Sequence, residues 1–163
     1  MVWENSPACS ISENRMADSQ FPYTADEGNR IVEIARHLVN AGLAHDELRR
    51  AKQLAELRQY LDELIGKYGE HPILIETQAD YADTFEESMA LYEKAKTDSK
   101  SMGLPLLSIC LSMALLVLNE RDGKSRALEL LQECQDEVCN ANEYELWKIE
   151  EIKAACGEIA NSQ

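Results

Sequence analysis

An all-α fold is predicted, on three observations. Leu, Ala and Glu dominate the 163 residues, and these are strong helix formers. No run alternates polar and apolar residues with the period of two that a half-buried strand needs. Turn signals at Gly42, Asp83 and Gly123 recur about every 40 residues, the mark of stacked helical hairpins in which each unit buries its apolar face only against its neighbours. Three antiparallel hairpins, at about 25–68, 72–102 and 105–140, and a capping helix at about 142–160 account for everything from Thr24 onward.

Composition narrows the function. An apolar fraction of 45% is that of a globular domain. The formal charge of −14 argues against nucleic acid, whose phosphates need a basic stripe, and against an anionic membrane surface. A basic peptide is the natural charged partner, although surface acids also keep a protein soluble.

The elements follow in order. Residues 1–23 lack periodicity and read as a flexible leader, ordered only where Trp3 or Phe21 finds a groove. Met16 is an alternative start. Thr24-Ala-Asp-Glu27 is a capping box. Ile31, Ile34, Ala35, Leu38 and Val39 then recur at helical spacing, and Gly42 ends the helix with positive φ. A second helix opens near His45-Asp46 and stops at Gly69. Its stripe is Leu48, Ala51, Leu54 or Ala55, Leu57 or Arg58, Leu61, Leu64 and Ile65.

The third helix runs from Pro72, a first-turn proline, to about Ala82. Asp83 or Thr84 caps a fourth, through Met89, Leu91, Tyr92 and Ala95 to Gly103, with Glu86 and Glu87 in its first turn. The segment from Pro105 to about Asn119 is apolar on nearly every side, so it must be sandwiched. It is shorter than the roughly 20 residues a bilayer requires. A sixth helix, from about Lys124 to Cys139, buries Ala127, Leu128, Leu131, Cys134 and Val138. A seventh, from near Asn142, turns Leu146, Ile149, Ile152, Ala155 or Cys156, and Ile159 inward.

Chemistry-bearing clusters are sparse. His37, His45 and His71 form no metal-binding spacing. The five cysteines, Cys9, Cys110, Cys134, Cys139 and Cys156, are odd in number with no C-x-x-C. They read as reduced thiols of a cytoplasmic protein, and the polar N-terminus lacks a secretory signal. A thiol or metal site on Cys134, Cys139 and Cys156 is the weaker alternative, since no histidine follows residue 71 to serve as base. The carboxylates, among them Asp83, Glu86, Glu87, Glu150 and Glu151, sit at turns or outward positions rather than in a dry cleft. No phosphate-binding glycine loop is present. No catalytic residue, metal or cofactor is expected, and the chain reads as a binding protein.

Two segments resemble the tetratricopeptide repeat. Phe85-Glu-Glu-Ser-Met-Ala-Leu-Tyr-Glu-Lys-Ala95 and Lys124-Ser-Arg-Ala-Leu-Glu-Leu-Leu-Gln-Glu-Cys134 carry its second-helix pattern of small, large and small residues. Ser88, Tyr92 and Ala95 take those places in one, and Ala127, Leu131 and Cys134 in the other. The family's first-helix glycine is Glu76 and Leu115 here, and its large aromatic is Ala79 and Leu118. The spacing of about 39 exceeds the family's 34, and the first hairpin matches only in outline.

The resemblance implies a right-handed solenoid of these hairpins whose first helices line a concave groove for a peptide or helix. It further implies that Ile73, Thr77, Asp80 and Tyr81 face the groove from one unit, and Ile109, Ser112, Leu116 and Asn119 from the next. That set offers Asn119 but no base for a peptide carboxylate, which disfavours capture of a chaperone C-terminus. An amphipathic or apolar segment suits it better. Ile109 and Leu116 have a competing reading as core. The functional expectation is a non-catalytic adaptor, scaffold or chaperone-like module, with a self-associating homodimer as the alternative.

Overall fold

The structure, a computed structural model, describes residues 21–120 and 123–157. The expectations for residues 1–20, for Ile159 and for the far end of the capping helix lie outside these. Among the described residues the chain is all-helical, with seven α-helices, one 3-10 turn and no strand. They divide into two compact units, 21–98 and 99–157, and the break falls inside α4. No helix of the described residues is long and apolar enough to cross a membrane.

The first unit holds α1 (Ala25–Leu43), α2 (Glu47–Tyr68), α3 (Pro72–Asp80) and most of α4 (Phe85–Met102). The capping box at Thr24 forms as its spacing predicts: Thr24 accepts from the Glu27 amide at 3.3 Å, and Glu27 accepts from the Thr24 amide at 2.8 Å. Glu27 does more than cap. Lys67 Nζ and the Tyr68 hydroxyl, from the last turn of α2, each donate to it at 2.8 Å. The start of α1 is thereby tied to the end of α2, and the hairpin is antiparallel. Between these ends, Ile31, Ile34 and Leu38 pack against Leu57, Tyr60, Leu61 and Leu64, with Leu74 of α3 completing the core. The Tyr23 ring lies over Gly28, where a Cβ would come within 3.0 Å of it.

Three expectations for this hairpin are corrected. Val39 is 57% exposed, because Leu38 and Ala41 take the buried side and each residue step turns the helix by about 100°. Leu48 and Ala51 are exposed, since the first turns of α2 run beyond the core. Gly42 does not end α1. The left-handed residue is His45, at φ 55, whose amide donates back to the Gly42 carbonyl at 3.0 Å. Asp46 then caps α2 by accepting from the Arg49 amide at 2.9 Å.

The second unit holds the last turn of α4, then α5 (Leu107–Val117), α6 (Gly123–Glu133), a 3-10 turn (Gln135–Asn140) and α7 (Glu143–Cys156). Leu107, Ile109, Cys110, Leu111, Met113, Ala114 and Val117 of α5 are buried, and both α6 and α7 pack on this helix. Gly123 opens α6 with its backbone against α5: a Cβ there would lie 1.8 Å from the Val117 carbonyl oxygen. The α6 helix stops at Glu133, short of the expected Cys139, and tightens into the 3-10 turn. That turn carries Glu137 back to the start of α5, where its Oε2 accepts from the Leu106 and Leu107 amides at 2.7 and 2.9 Å. The apolar sequence there supplies no cap of its own.

A second capping box, Asn142 with Glu145, starts α7, and Gly157 at φ 84 closes it. Ile149 and Ile152 are buried as expected, but Leu146 and Ala155 are exposed and Cys156 is half-buried. The six pattern residues Ser88, Tyr92, Ala95, Ala127, Leu131 and Cys134 are all buried.

Two glycines should respond oppositely to alanine. Gly123→Ala forces Cβ into the Val117 carbonyl and is expected to cost about 2–3 kcal/mol. Gly66→Ala, inside α2 with nothing within 4 Å of the new Cβ, is expected to gain about 0.5–1 kcal/mol from helix propensity. Urea unfolding of both variants checks the pair.

Glu27 should leave an acid signature. Its hydrogen bond from Lys67, then those from the Thr24 amide and Tyr68, hold its pKa at about 2, against an ordinary 4.5. The folded carboxylate therefore binds fewer protons than the unfolded one. Its contribution is complete above about pH 4.5 and is lost as pH falls toward about 2. Between pH 7 and pH 3 the urea midpoint of the wild type is expected to fall more than that of Glu27→Gln.

Candidate functional site

The turn between α3 and α4 builds a concave feature that gathers polar groups from three helices of the first unit. Thr84 caps α4 by accepting from the Glu87 amide at 3.1 Å, and Glu87 in turn accepts from the Asp83 amide at 3.2 Å. Ser88 donates its hydroxyl to the Ala79 carbonyl at 2.8 Å, and the Tyr92 hydroxyl donates to Asp80. These bonds fix the start of α4 against the end of α3.

Arg58 of α2 then fastens the turn to the hairpin. Its guanidinium donates bidentately to Asp83 at 2.7 and 3.0 Å and to the Tyr81 carbonyl at 2.7 Å. This fork geometry is the arginine arrangement that a lysine cannot reproduce. The Asp83 hydrogen bond raises the Arg58 pKa further, and the same bond lowers that of Asp83.

Beside this clamp lies an open cleft of about 250 Å³ lined by Arg58, Leu61, Asp62, Gln78, Tyr81, Ala82, Glu87 and Leu91. Its lining joins apolar Leu61, Ala82 and Leu91 to the carboxylates of Asp62 and Glu87. Gln78 donates to Asp62 at 3.2 Å, joining α3 to α2 across the cleft wall. Tyr81 is half-buried, and burial followed by the nearby Asp80 pushes its phenol pKa up, so the hydroxyl stays protonated at neutral pH. Acceptors outnumber free donors, because Arg58 is engaged by the turn. The volume is below the roughly 300–1,000 Å³ of enclosed small-molecule sites, and the lining holds no nucleophile beside a base. What it can do is receive a side chain that is apolar along its stem and positive or N–H-bearing at its tip.

Of the residues expected to face a partner, Tyr81 lines this cleft. Ile73 and Thr77 are half-buried on α3 and Asp80 is exposed. The Thr77 hydroxyl donates to the Ile73 carbonyl at 2.8 Å. Ile109, Ser112, Leu116 and Asn119 belong to the second unit and do not line the cleft. Ile109 is core, which corrects its placement on the surface. The open side of α5 runs through Ser108, Ser112 and Leu115, and Asn119 lies in the turn after it. Ile109 is one residue past that row, about 100° round the helix; Leu116 stands half-buried on its shoulder. Arg58, Asp62, Gln78, Glu87 and Leu91 escape a sequence reading based on helix faces. The available signal is Arg58 itself, an ion interrupting the apolar stripe of α2.

The described cysteines form no disulfide. Cys110 and Cys134 are both buried, and the hydrogen bond between them, with burial second, pushes the Cys134 thiol far up. Such a thiol carries little thiolate and is a poor nucleophile. Among the described residues no group of three or more His, Cys, Asp or Glu is placed to hold a metal ion.

Comparison with family models, curated proteins and solved structures finds no match for this chain.

The clamp makes a measurable claim. Arg58→Ala is expected to cost about 1 kcal/mol, since the ion pair is partly exposed while the Tyr81 carbonyl loses its donor. The deficit in urea unfolding should shrink at 1 M salt, where the Debye length is about 3 Å.

Proposed function

We propose that this chain is a non-catalytic protein–protein interaction module of the cytoplasm, an adaptor or chaperone-like scaffold, whose cleft takes a side chain of an amphipathic or basic peptide. The observation that carries the reading is the cleft itself: an apolar floor, two carboxylates and a protonated phenol gathered by α2, α3 and α4 beside a clamp that presets their geometry. Pre-organisation of this kind reduces the ordering cost of association. The formal charge of −14 favours approach of a basic partner. The tetratricopeptide-like stack of hairpins belongs to the same proposal, supported by the burial of all six pattern residues. The cytoplasm is favoured by the unbridged state of the described cysteines.

A second reading, self-association, is favoured by one observation. Val32, Val39 and Leu43 form an exposed apolar row along α1, and rows of this kind mark interfaces.

Two measurements separate the readings. Light scattering over a concentration series is expected to give a monomer near 18.4 kDa; a stable dimer that Val39→Glu dissociates would establish self-association instead. On an array of amphipathic Lys- and Arg-containing peptides, saturable binding is expected that Tyr81→Phe, which keeps the ring packed against the core, or Asp62→Ala weakens at least tenfold with little change in the thermal midpoint. Binding indifferent to both substitutions would sink the cleft reading.

A further inference from the structure

The outward side of α7 carries the strongest aromatic exposure among the described residues. Tyr144 is 61% and Trp147 56% exposed, and their rings stack with centroids 5.9 Å apart and planes inclined by 20°. Leu146 is exposed beside them. This exposure is imposed by the helix register rather than by fraying. The Asn142 capping box and Gly157 fix both ends of α7, and Ile149 and Ile152 anchor its opposite side in the core. Large aromatics held in water on a rigid helix are the residues that dominate binding energies when a partner covers them.

The surroundings of the stack decide what that partner is. Glu143, Glu150 and Glu151 are exposed around it, with Lys153 Nζ 3.7 Å from Glu150 Oε1. Within the helix the stack already attracts a cation: Lys148 Nζ sits 4.7 Å from the Tyr144 ring centroid. Among the described residues no cation lies over Trp147, whose indole is the best aromatic acceptor for one. A second copy of this chain would bring carboxylates against carboxylates. An anionic lipid surface would meet the same repulsion. A guanidinium, by contrast, can stack on Trp147 while its N–H groups pair with a carboxylate one turn away, a combination open to arginine more than to lysine.

We propose that the Tyr144–Trp147 stack and Glu143, Glu150 and Glu151 form a docking surface for an arginine-rich peptide segment of a partner protein. This surface lies on the second unit and does not depend on the cleft reading, so either can fail without the other.

The test uses the full chain carrying Trp3→Phe, which leaves Trp147 as the only tryptophan, and nona-arginine as the probe. Saturable quenching or shift of Trp147 emission is expected, weakening with salt, and nona-lysine is expected to bind several-fold more weakly. By calorimetry, Trp147→Leu and the double variant Glu150→Gln/Glu151→Gln should each weaken nona-arginine at least tenfold. The cleft variant Asp62→Ala should not alter it. Trp147→Leu preserves the net charge, so equal affinity for that variant would reduce the effect to bulk charge attraction and overturn the proposal. Concentration-dependent mass growth abolished by Trp147→Leu would overturn it in favour of a second copy. Because Trp147 faces water, unchanged far-ultraviolet circular dichroism is expected; should Trp147→Leu unfold, Tyr144→Ala replaces it under the same criteria.

Discussion

α5 leaves the chain little freedom. Its sequence from Leu107 to Val117 offers water only a narrow strip at Ser108 and Ser112, yet it is too short to leave water for a bilayer. Apolar burial at about 25 cal/mol per Å² makes enclosing such a helix the dominant gain available to its unit. α6 and α7 each present an apolar side to it. The cost appears at its N-terminus. Helix starts carry unsatisfied amides, and a leucine-rich segment has no side chain to receive them. Glu137 supplies the missing acceptor from a turn about 30 residues away. The 3-10 turn that ends α6 early, the antiparallel return from α5 to α6 and the carboxylate at the helix start are one solution to one problem.

The first unit solves a different problem with polar groups. Neither α1 nor α2 is apolar enough to force its own enclosure, and each keeps many of its residues in water. Glu27 caps α1 and at the same time receives Lys67 and Tyr68 from the far end of α2. Arg58 performs the same double duty one layer on, pairing with Asp83 while it holds the Tyr81 carbonyl. Both are charge-assisted bonds that fix geometry more than they add stability. The cleft stands beside the second of them because an organised turn, rather than packed apolar side chains, forms its wall. Polar ties of this sort specify a shape that a partner can meet without reordering it.

The surfaces that remain open are of two kinds. α1 shows an aliphatic row, and α7 shows stacked aromatics ringed by acids. Hydrophobic bookkeeping alone does not distinguish them, since both expose apolar area. Chemistry does: aliphatic side chains recognise shape, whereas an indole beside carboxylates recognises a flat cation.

Much of the architecture was legible in the residues themselves. Thr24 with Glu27, Pro72, Thr84 with Glu87 and Gly103 set element boundaries through hydrogen bonds and backbone angles that act within a few positions, and local chemistry is what sequence encodes most directly. The all-helical character and the burial of Ser88, Tyr92, Ala95, Ala127, Leu131 and Cys134 follow from the same short-range spacing. Where two apolar stripes compete on one helix, sequence does not rank them: Val39 and Leu38, Ile109 and Leu115, and Leu146 and Ile149 stand about 60–120° apart around their helices, and which of each pair is buried depends on the neighbour's position. His45 rather than Gly42 takes the left-handed angle because the reversal between α1 and α2 falls three residues later than the glycine. Glu137 and Arg58 acquire their roles across about 30 and 25 residues of chain. Only the folded chain brings such groups within hydrogen-bond reach, because distance along the sequence carries no information about distance in space.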